Sequence, residues 1–261
     1  MADVDITRAI DRMIEFLSNQ LEETGSEGYV LGVSGGLDSA VGATLAVEAV
    51  GNDAVTGMIL PGAPSDEHNM GDARELAADL GITSRDIAIT PIVEQFQNST
   101  PYDAGQVAIG NTRARTRMVF EYLEANVNDL LVLGPSNKSE LLLGYFTKYG
   151  DGGVDLRPMA DLYKTEIRAV ARELDVDEKF VQKTPTAALW EDQTDEGELG
   201  ASYETIDAVL KALVEKDRSV EETAERTGVS DEEVRRFQRM QQRSAHKRSP
   251  PPFPELRRDS S

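Results

Sequence analysis

The strongest constraint on the fold of this chain is a stretch near its start, Tyr29 to Ser39, which reads Y-V-L-G-V-S-G-G-L-D-S. Its first five residues form a short apolar, partly β-branched run, typical of a strand that is buried on both faces. After Ser34-Gly35-Gly36, a run rich in Ala and Val continues from Leu37 to Val50 and predicts a helix. A strand, a glycine turn and a helix in this order bring backbone N–H groups and the positive end of a helix to one place, which favours the binding of phosphate oxygens.

The residues that follow the glycines distinguish this turn from the common nucleotide loop G-x-x-x-x-G-K-[ST]. That loop needs a lysine to reach the β- and γ-phosphates, and none is present here. Asp38 instead falls in the first turn of the helix, where the dipole favours an acid and a carboxylate can hold a cation. Ser34 and Ser39 add hydroxyl donors. The alternative is a plain glycine turn in which Asp38 and Ser39 only satisfy the start of the helix.

Three further strands are predicted from short apolar runs, over 54–60, 85–90 and 129–134. They alternate with helical patterns, the longest over 105–127, so the fold class is α/β with a doubly wound, mostly parallel, Rossmann-like sheet. Extra helices are predicted at both ends, over 6–21 before the sheet and after the capping-box residues Ser219 and Ser230 at the other end. A ligand of such a sheet binds outside the carboxyl ends of its strands, where the glycine turn lies.

A second polar turn follows the fourth predicted strand and reads P-S-N-K-S-E, from Pro135 to Glu140. Glu140 is then placed like Asp38, in a first helical turn at the carboxyl end of a strand. Two carboxylates facing one phosphate site predict Mg²⁺. On spacing alone, Glu140 is explained equally well as an acid that stabilises the start of its helix.

Composition excludes several classes of protein. The absence of cysteine rules out a disulfide framework, a thiolate zinc site and a catalytic thiol. The formal net charge of −20 argues against a nucleic-acid partner, which needs a basic face. The N-terminus lacks the pattern of a signal peptide and no apolar run is long enough to span a membrane, so we expect a soluble, cytoplasmic protein.

The basic residues are also unusual, because only eight are Lys and none of these precedes Lys138. An acidic surface with few lysines fits a halophilic protein in a salt-rich cytoplasm. The lysines that remain are therefore candidates for function, and five fall in segments singled out on other grounds: Lys138, Lys148, Lys164, Lys183 and Lys247.

The chain is expected to form a single domain over 1–261. Within it we expect an α/β nucleotide-binding core with its N-terminal helix over 5–200, helices over 201–245, and a basic, proline-rich tail over 246–261. The segment 183–200 is too irregular for a regular element and contains the only Trp.

The motifs resemble those of a known family. S-G-G-L-D-S is similar to the loop of the ATP pyrophosphatases, which split ATP between its α- and β-phosphates. The later segments are more specific and, from about Asp5 to Pro252, resemble ammonia-dependent NAD synthetases: G-N-T-R-A-R-T-R-M, S-N-K-S-E-L-L-L-G-Y-F-T-K-Y-G-D-G-G-V-D, L-Y-K-T-E, K-T-P-T-A-A-L-W-E-D-Q-T-D-E-G-E-L-G and H-K-R.

This resemblance implies a reaction in two steps: the carboxylate of deamido-NAD attacks the α-phosphate of ATP, and ammonia then displaces AMP. It also implies a homodimer with the dinucleotide near the subunit interface. By motif, ATP would be bound by Gly32, Val33, Ser34, Gly35, Gly36, Leu37, Asp38, Ser39, Lys164 and Thr186. Deamido-NAD would be bound by Arg115, Lys148, Asp155, His246 and Lys247. Mg²⁺ would be held by Asp38 and Glu140, Lys164 would take part in catalysis, and Asp151 would orient or deprotonate ammonium.

One position departs from the family pattern, which has threonine where this chain has Pro135. Proline has neither a hydroxyl nor an N–H, so the contact of that threonine with ATP is lost or passes to Ser136.

Two alternatives stay open at the level of the sequence. One is another AMP-forming ligase that shares the loop but acts on a different acid. The other is a non-catalytic module that binds ATP. Such a module would have no need for carboxylates at two neighbouring strand ends. With glutamine as the nitrogen source, an amidase domain with a nucleophilic cysteine would be required. The chain has no cysteine, so we expect ammonia to be the substrate.

The acidic composition leads to a prediction about salt. At a net charge of −20, repulsion among surface carboxylates opposes folding and repels anionic substrates, and added salt screens both effects. We expect the melting temperature and the activity to rise together as KCl increases from dilute to molar concentration. A melting temperature that stays flat or falls over this range would contradict this explanation of the acidic surface.

Overall fold

The computed structural model describes residues 4–63, 67–186, 190 and 193–254. Within these residues a parallel sheet has the strand order β3-β2-β1-β4. Its strands are β1 (Gly28–Gly32), β2 (Val55–Ile59), β3 (Thr83–Asp86) and β4 (Leu130–Val132). The end of the predicted tail, 255–261, and residues 187–189 and 191–192 of the segment 183–200 lie outside the described residues.

Helices precede, separate and follow the strands. The first half of the chain contains α1 (Ile6–Thr24), α2 (Leu37–Val50), α3 (Glu67–Asp79), α4 (Thr90–Asn98) and α5 (Gln106–Asn128). After β4 come α6 (Lys138–Leu143), α7 (Lys164–Glu173), α8 (Glu178–Val181), α9 (Asp195–Leu199), α10 (Tyr203–Leu210), α11 (Val220–Thr227) and α12 (Asp231–Arg243). Among the described helices, none combines the length and apolarity that a membrane crossing requires.

Strand β1 lies at the centre of the sheet and is buried on both faces, as its apolar run predicts. Tyr29, Val30 and Leu31 are completely buried. Because successive side chains of a strand point to opposite faces, Tyr29 and Leu31 pack in one core cluster and Val30 packs in another. The doubly wound arrangement is therefore confirmed: α1, α2, α3 and α7 cover one face, and α4 and α5 cover the other.

A third core cluster joins the helices of the C-terminal part. Residues of α10, α11 and α12, among them Tyr203, Val220 and Phe237, pack with Leu143 of α6 and Tyr163 before α7. Ser219 makes the predicted capping box with Glu222, and the Ser230 side chain accepts a hydrogen bond from the Glu233 backbone. The extra helices that the sequence predicts at both ends of the core are thus present.

Two predicted elements differ from the structure. The third strand, predicted over 85–90, occupies Thr83–Asp86, and α4 already begins at Thr90. This strand lies at the edge of the sheet with all four residues exposed, so it carries none of the apolar pattern that marks a buried strand. The segment 183–200, predicted to lack regular elements, contains the one-turn helix α9, which begins at the Thr194 cap.

The strand order identifies where a ligand belongs. The chain passes from β1 outward to β2 and β3, then returns to place β4 on the other side of β1. The connections therefore diverge between β1 and β4, and the crevice outside the carboxyl ends of these two strands is the binding position of such sheets. Both polar turns found in the sequence follow these two strands.

Candidate active site

The glycine turn, residues 34–36, connects β1 to α2 at this crevice. Gly35 has φ +73°, and a Cβ at this position would lie 2.1 Å from the backbone oxygen of Asn69. Gly36 is the N-cap of α2 and provides no side-chain cap for the first N–H groups of the helix. The hydroxyl of Ser39 instead stabilises the turn, because it donates to the Gly36 carbonyl oxygen (2.9 Å) and lies 3.1 Å from the Ser34 hydroxyl. Backbone N–H groups and two hydroxyls are thus concentrated at the end of β1.

Lys164 connects the two carboxylates that the sequence predicts to face each other. Its side chain is buried, and the ammonium donates to the Asp38 carboxylate and, at 3.3 Å, to Glu140 Oε1. The three residues come from the N-terminal turns of three helices: α2, α6 and α7. The tertiary structure therefore brings Asp38, Glu140 and Lys164 to one point at the switch between β1 and β4.

Asn137 fixes the relative position of α2 and α6. It is completely buried, and as the N-cap of α6 its Oδ1 accepts the Glu140 backbone N–H at 3.1 Å. The side-chain amide of the same residue donates to Asp38 Oδ1 at 3.0 Å. One asparagine thus caps one helix and orients the carboxylate of another.

The electrostatics of the cluster favour cations. Burial raises the pKa of Glu140, and Asp38 and Asp195 raise it further, although Lys164 opposes them. Burial alone would lower the pKa of Lys164, but Asp38 and Glu140 outweigh it, so this pKa lies above its ordinary value. Lys164 therefore stays protonated among several carboxyl groups. A second cation at the same point would favour the ionised form of Glu140.

The cluster opens into a cavity of about 490 Å³. Its wall includes every residue predicted to bind ATP and, in addition, Glu140, Asp151 and Lys247. The ammonium of Lys247 donates to the carbonyl oxygens of Gly144 and Phe146, each at 2.7 Å. The Asp151 carboxylate accepts the Thr147 backbone N–H at 2.9 Å. Pro135 and Ser136 also line the wall at the position of the departure from the family motif.

The other residues predicted to bind deamido-NAD do not line this cavity. Three of them form a chain of contacts, in which Arg115 donates to the Lys148 carbonyl oxygen (3.3 Å) and the Lys148 ammonium donates to the His246 carbonyl oxygen (2.5 Å). Asp155 lies apart from them, where its carboxylate accepts the Val132 backbone N–H (2.8 Å) and the Tyr122 hydroxyl (2.9 Å). Their assignment to the dinucleotide stays a prediction.

Three residues of the site have no specific role assigned from the sequence: Asn137, Lys183 and Asp195. A signal was available for Asn137, because an asparagine before an apolar run with Glu three residues later is typical of a helix cap. Lys183 was noticed only as a rare lysine, and its ammonium donates to the Gly35 carbonyl oxygen at 2.7 Å and to Asp72 at 2.5 Å. Asp195 lies in an irregular segment with many acids, and no local pattern distinguishes it.

The parallel sheet, the uncapped glycine turn and the lysine held between two carboxylates define a nucleotide-binding α/β protein of the ATP pyrophosphatase type. Residues 9–251 match the NAD synthase family. The chain belongs to this family.

Individual relatives agree with this assignment. The chain is 45% identical to the NH(3)-dependent NAD(+) synthetase of Thermococcus kodakarensis, with 98% of this chain and 100% of the relative covered. It is also 45% identical to the protein of the same name from Halobacterium salinarum strain R1, with coverage of 94% and 91%. A solved structure, the NMN synthetase of Francisella tularensis, is similar with a TM-score of 0.86 and 34% identity, over 97% of this chain and 100% of that one.

The geometry of the glycine turn predicts that Gly35→Ala lowers the free energy of unfolding by roughly 1–3 kcal/mol. The cause is the left-handed φ together with the close approach of the Asn69 oxygen. Gly71→Ala is the matched control, because a Cβ there meets nothing within 4 Å and the residue lies inside α3. The free energy of unfolding of Gly71→Ala should rise by about 0.5–1 kcal/mol. Urea unfolding curves measure both values. A Gly35→Ala variant as stable as the wild type would contradict the requirement for glycine at this position.

Proposed function

We propose that the chain is an ammonia-dependent NAD synthetase, which uses ATP to convert deamido-NAD into NAD and releases AMP and pyrophosphate. The observation that carries this proposal is the contact of Lys164 with both Asp38 and Glu140 beside the glycine turn. It is supported by relatives named NH(3)-dependent NAD(+) synthetase that are 45% identical over nearly their full length. Because ATP is a substrate, a cytoplasmic location is part of the proposal.

In the first step, an oxygen of the nicotinate carboxylate forms a bond to the α-phosphorus of ATP, and the bond from that phosphorus to the β-phosphate oxygen breaks. The products are an adenylated dinucleotide and pyrophosphate. Since the substrate provides the nucleophile, the protein has to align the reactants and stabilise negative charge. Ser34, Gly35, Gly36 and Ser39 are proposed to bind the departing pyrophosphate. The N–H groups of Ser34 and Gly36 now donate to the hydroxyls of Ser39 and Ser34, so they would have to exchange these weak bonds for phosphate oxygens. Lys164 and Thr186 contact the same nucleotide.

The residues present fit a divalent cation such as Mg²⁺. This ion is commonly bound by one or two carboxylates together with substrate phosphates, and it retains several waters. Asp38 and Glu140 already share one cation, the ammonium of Lys164, which shows that both side chains face a common position for positive charge. The two residues would hold Mg²⁺ against the pyrophosphate, where the ion neutralises phosphate charge.

In the second step, ammonia adds to the activated carbonyl carbon, AMP leaves with the bonding electrons, and a proton is released from nitrogen. Asp151 is the proposed residue for orienting ammonium and accepting its proton. Its position in the cavity wall with Lys247 supports this role. Arg115, Lys148, Asp155, His246 and Lys247 are proposed to hold deamido-NAD, the first four from outside the cavity.

A homodimer is part of the same proposal, and the surface of α4 and α5 supports it. Val119, Leu123 and Val127 follow one another at spacings of four residues on α5 and are 58%, 57% and 71% exposed. Ile92 and Phe96 of α4 are also exposed, at 43% and 53%. An apolar stripe of this extent on neighbouring helices is typical of a protein interface. Arg115 lies on α5 too, so a second subunit at this face would be close to the proposed dinucleotide site.

A single assay tests the proposed reaction. The purified protein is incubated with Mg-ATP, ammonium and either deamido-NAD or nicotinate mononucleotide, and the amidated product is measured. We expect faster turnover with deamido-NAD. The mononucleotide is included because the similar Francisella structure is an NMN synthetase. If turnover is faster with the mononucleotide, the mononucleotide becomes the proposed substrate. If neither acid gives an amide product, the proposed reaction is refuted.

The metal assignment predicts that Asp38→Asn and Glu140→Gln each slow pyrophosphate release by roughly a hundredfold or more, because charge on the pyrophosphate is no longer neutralised. Both variants should remain folded, as circular dichroism can show. Asp86→Asn is the control, since it removes an exposed acid that pairs with Arg74 and does not line the cavity. A wild-type burst of pyrophosphate from either site variant would exclude that residue from the metal site.

The apolar stripe predicts that Leu123→Glu produces a monomer, because a buried carboxylate without a partner destabilises an interface. Phe16→Glu is the matched control: Phe16 is 40% exposed on α1, which covers the opposite face of the sheet. Light scattering coupled to size-exclusion chromatography gives the mass of each variant. Dimeric Leu123→Glu, or a monomeric wild type, would contradict an interface at α4 and α5.

A further inference from the structure

Asp195 carries a buried carboxylate oxygen with no hydrogen bond inside the candidate site. The residue is the first of α9, is 4% exposed and lines the cavity. Its Oδ2 accepts the Tyr203 hydroxyl at 3.0 Å. The Tyr145 hydroxyl also interacts with this carboxylate, but it donates its hydrogen to Glu198 Oε2 (2.6 Å). Asp195 Oδ1 therefore has no hydrogen-bond partner among the residues that the structure describes. A buried carboxylate oxygen without a donor destabilises the folded state, so its presence in the wall of a cavity points to a ligand that provides the donor.

The surroundings of Asp195 restrict what that ligand is. Burial raises its pKa, Lys164 lowers it and Asp38 raises it, which places the carboxyl in the electrostatic field of the proposed metal cluster. A phosphate oxygen of ATP is an acceptor with negative charge and would be repelled. The missing partner therefore has to donate a hydrogen bond and to lie at the metal end of the cavity.

Direct binding of the metal by Asp195 does not fit the geometry. Within the described part of the chain, no three acidic or histidine side chains are close enough to hold one ion together. Asp195 is thus not placed as a third direct ligand beside Asp38 and Glu140. Mg²⁺ loses its waters reluctantly, and its bound waters are strong hydrogen-bond donors.

We infer that Asp195 Oδ1 accepts a hydrogen bond from a water molecule coordinated to the metal of bound Mg-ATP. Asp195 is then a positioning residue that orients the hydrated metal, and Tyr203 orients Asp195. The Tyr203 hydroxyl occupies Oδ2 and leaves Oδ1 for the cavity, while its ring lies 5.3 Å from the Lys164 ammonium. The inference depends on the proposed function only in its assumption that Mg-ATP binds at Asp38 and Glu140.

Metal binding can be measured without turnover. Mn²⁺ replaces Mg²⁺, and α,β-methylene ATP, which cannot be cleaved between its α- and β-phosphorus atoms, replaces ATP. Free Mn²⁺ is followed by electron paramagnetic resonance as the full-length protein is titrated. In Asp195→Asn, the dissociation constant of Mn²⁺ should rise roughly 10- to 100-fold, the usual effect of removing an outer partner of a metal site. In nucleotide-free buffer the melting temperature of this variant should equal or exceed that of the wild type, because a neutral amide replaces a buried carboxylate of which one oxygen has no donor.

Glu198→Gln is the matched control for charge. Glu198 also lines the cavity, but its Oε2 already accepts the Tyr145 hydroxyl (2.6 Å) and the Gln193 side-chain amide (3.0 Å). This variant should leave the Mn²⁺ dissociation constant within about twofold of the wild type. Tyr203→Phe keeps the Asp195 charge and removes only the hydroxyl that orients it. Its Mn²⁺ dissociation constant should therefore lie between those of Glu198→Gln and Asp195→Asn.

Several outcomes would overturn the inference. One is an Asp195→Asn dissociation constant within twofold of the wild type, and another is an equal loss of affinity in Glu198→Gln. A raised KM for ammonium in Asp195→Asn with unchanged Mn²⁺ affinity would also overturn the inference. It would show that Asp195 Oδ1 accepts a hydrogen bond from ammonium instead. The titration contains no deamido-NAD, so a specific loss in Asp195→Asn would support the inference even if the amidation assay failed.

Discussion

The candidate site depends on the contacts between the Lys164 ammonium and the carboxylates of Asp38 and Glu140. Three helices direct their N-terminal turns to one crevice, and each brings acidic or backbone N–H groups to it. Without a buried cation, two carboxylates so close together would repel each other and raise the free energy of the folded state. Lys164 removes that repulsion. In the proposed function it also leaves the carboxylates aligned for a second cation that would arrive with the nucleotide phosphates. The same contacts thus stabilise the fold and prepare the site.

The helices after residue 200 support this arrangement. Asp207 of α10 accepts the Ser139 hydroxyl (2.5 Å) and the Thr165 backbone N–H (2.9 Å), so one buried carboxylate connects α6 to the start of α7. The Ser139 hydroxyl in turn accepts the Lys164 backbone N–H at 3.0 Å. Near the end of the described chain, Arg248 donates to the carbonyl oxygens of Leu141 and Leu142 at the last turn of α6. The C-terminal helices therefore hold in place the two helices that carry Glu140 and Lys164.

The sequence predicts the parts of this site that local patterns determine. A short stretch whose apolar pattern changes from strand to helix determines the bounds of α2. The same stretch determines the polarity of the turn before α2 and the place of Asp38. The contact of Asn137 with Asp38 is not predictable in this way, because the two residues lie 99 positions apart. The role of Asp195 exists only after packing has placed it in the cavity wall. The edge strand β3 was misplaced for a related reason: its residues are exposed, and what defines it is its backbone pairing with β2. For Arg115, Lys148, Asp155 and His246 only family motifs provide a role, since in the single chain they lie outside the cavity.

The sequence distances within the cluster have a consequence for folding. Asn137 contacts Asp38 across 99 residues, and Lys164 contacts it across 126. Non-local contacts of this kind slow folding, because loop-closure entropy is lost before the contacts form. We therefore expect a partly folded chain to contain the glycine turn without the residues that complete the site. A nucleotide that needs all of them stabilises only the fully folded protein, by an amount that grows with its concentration. Nucleotide binding would thus protect the finished fold and would leave its folding intermediates unprotected.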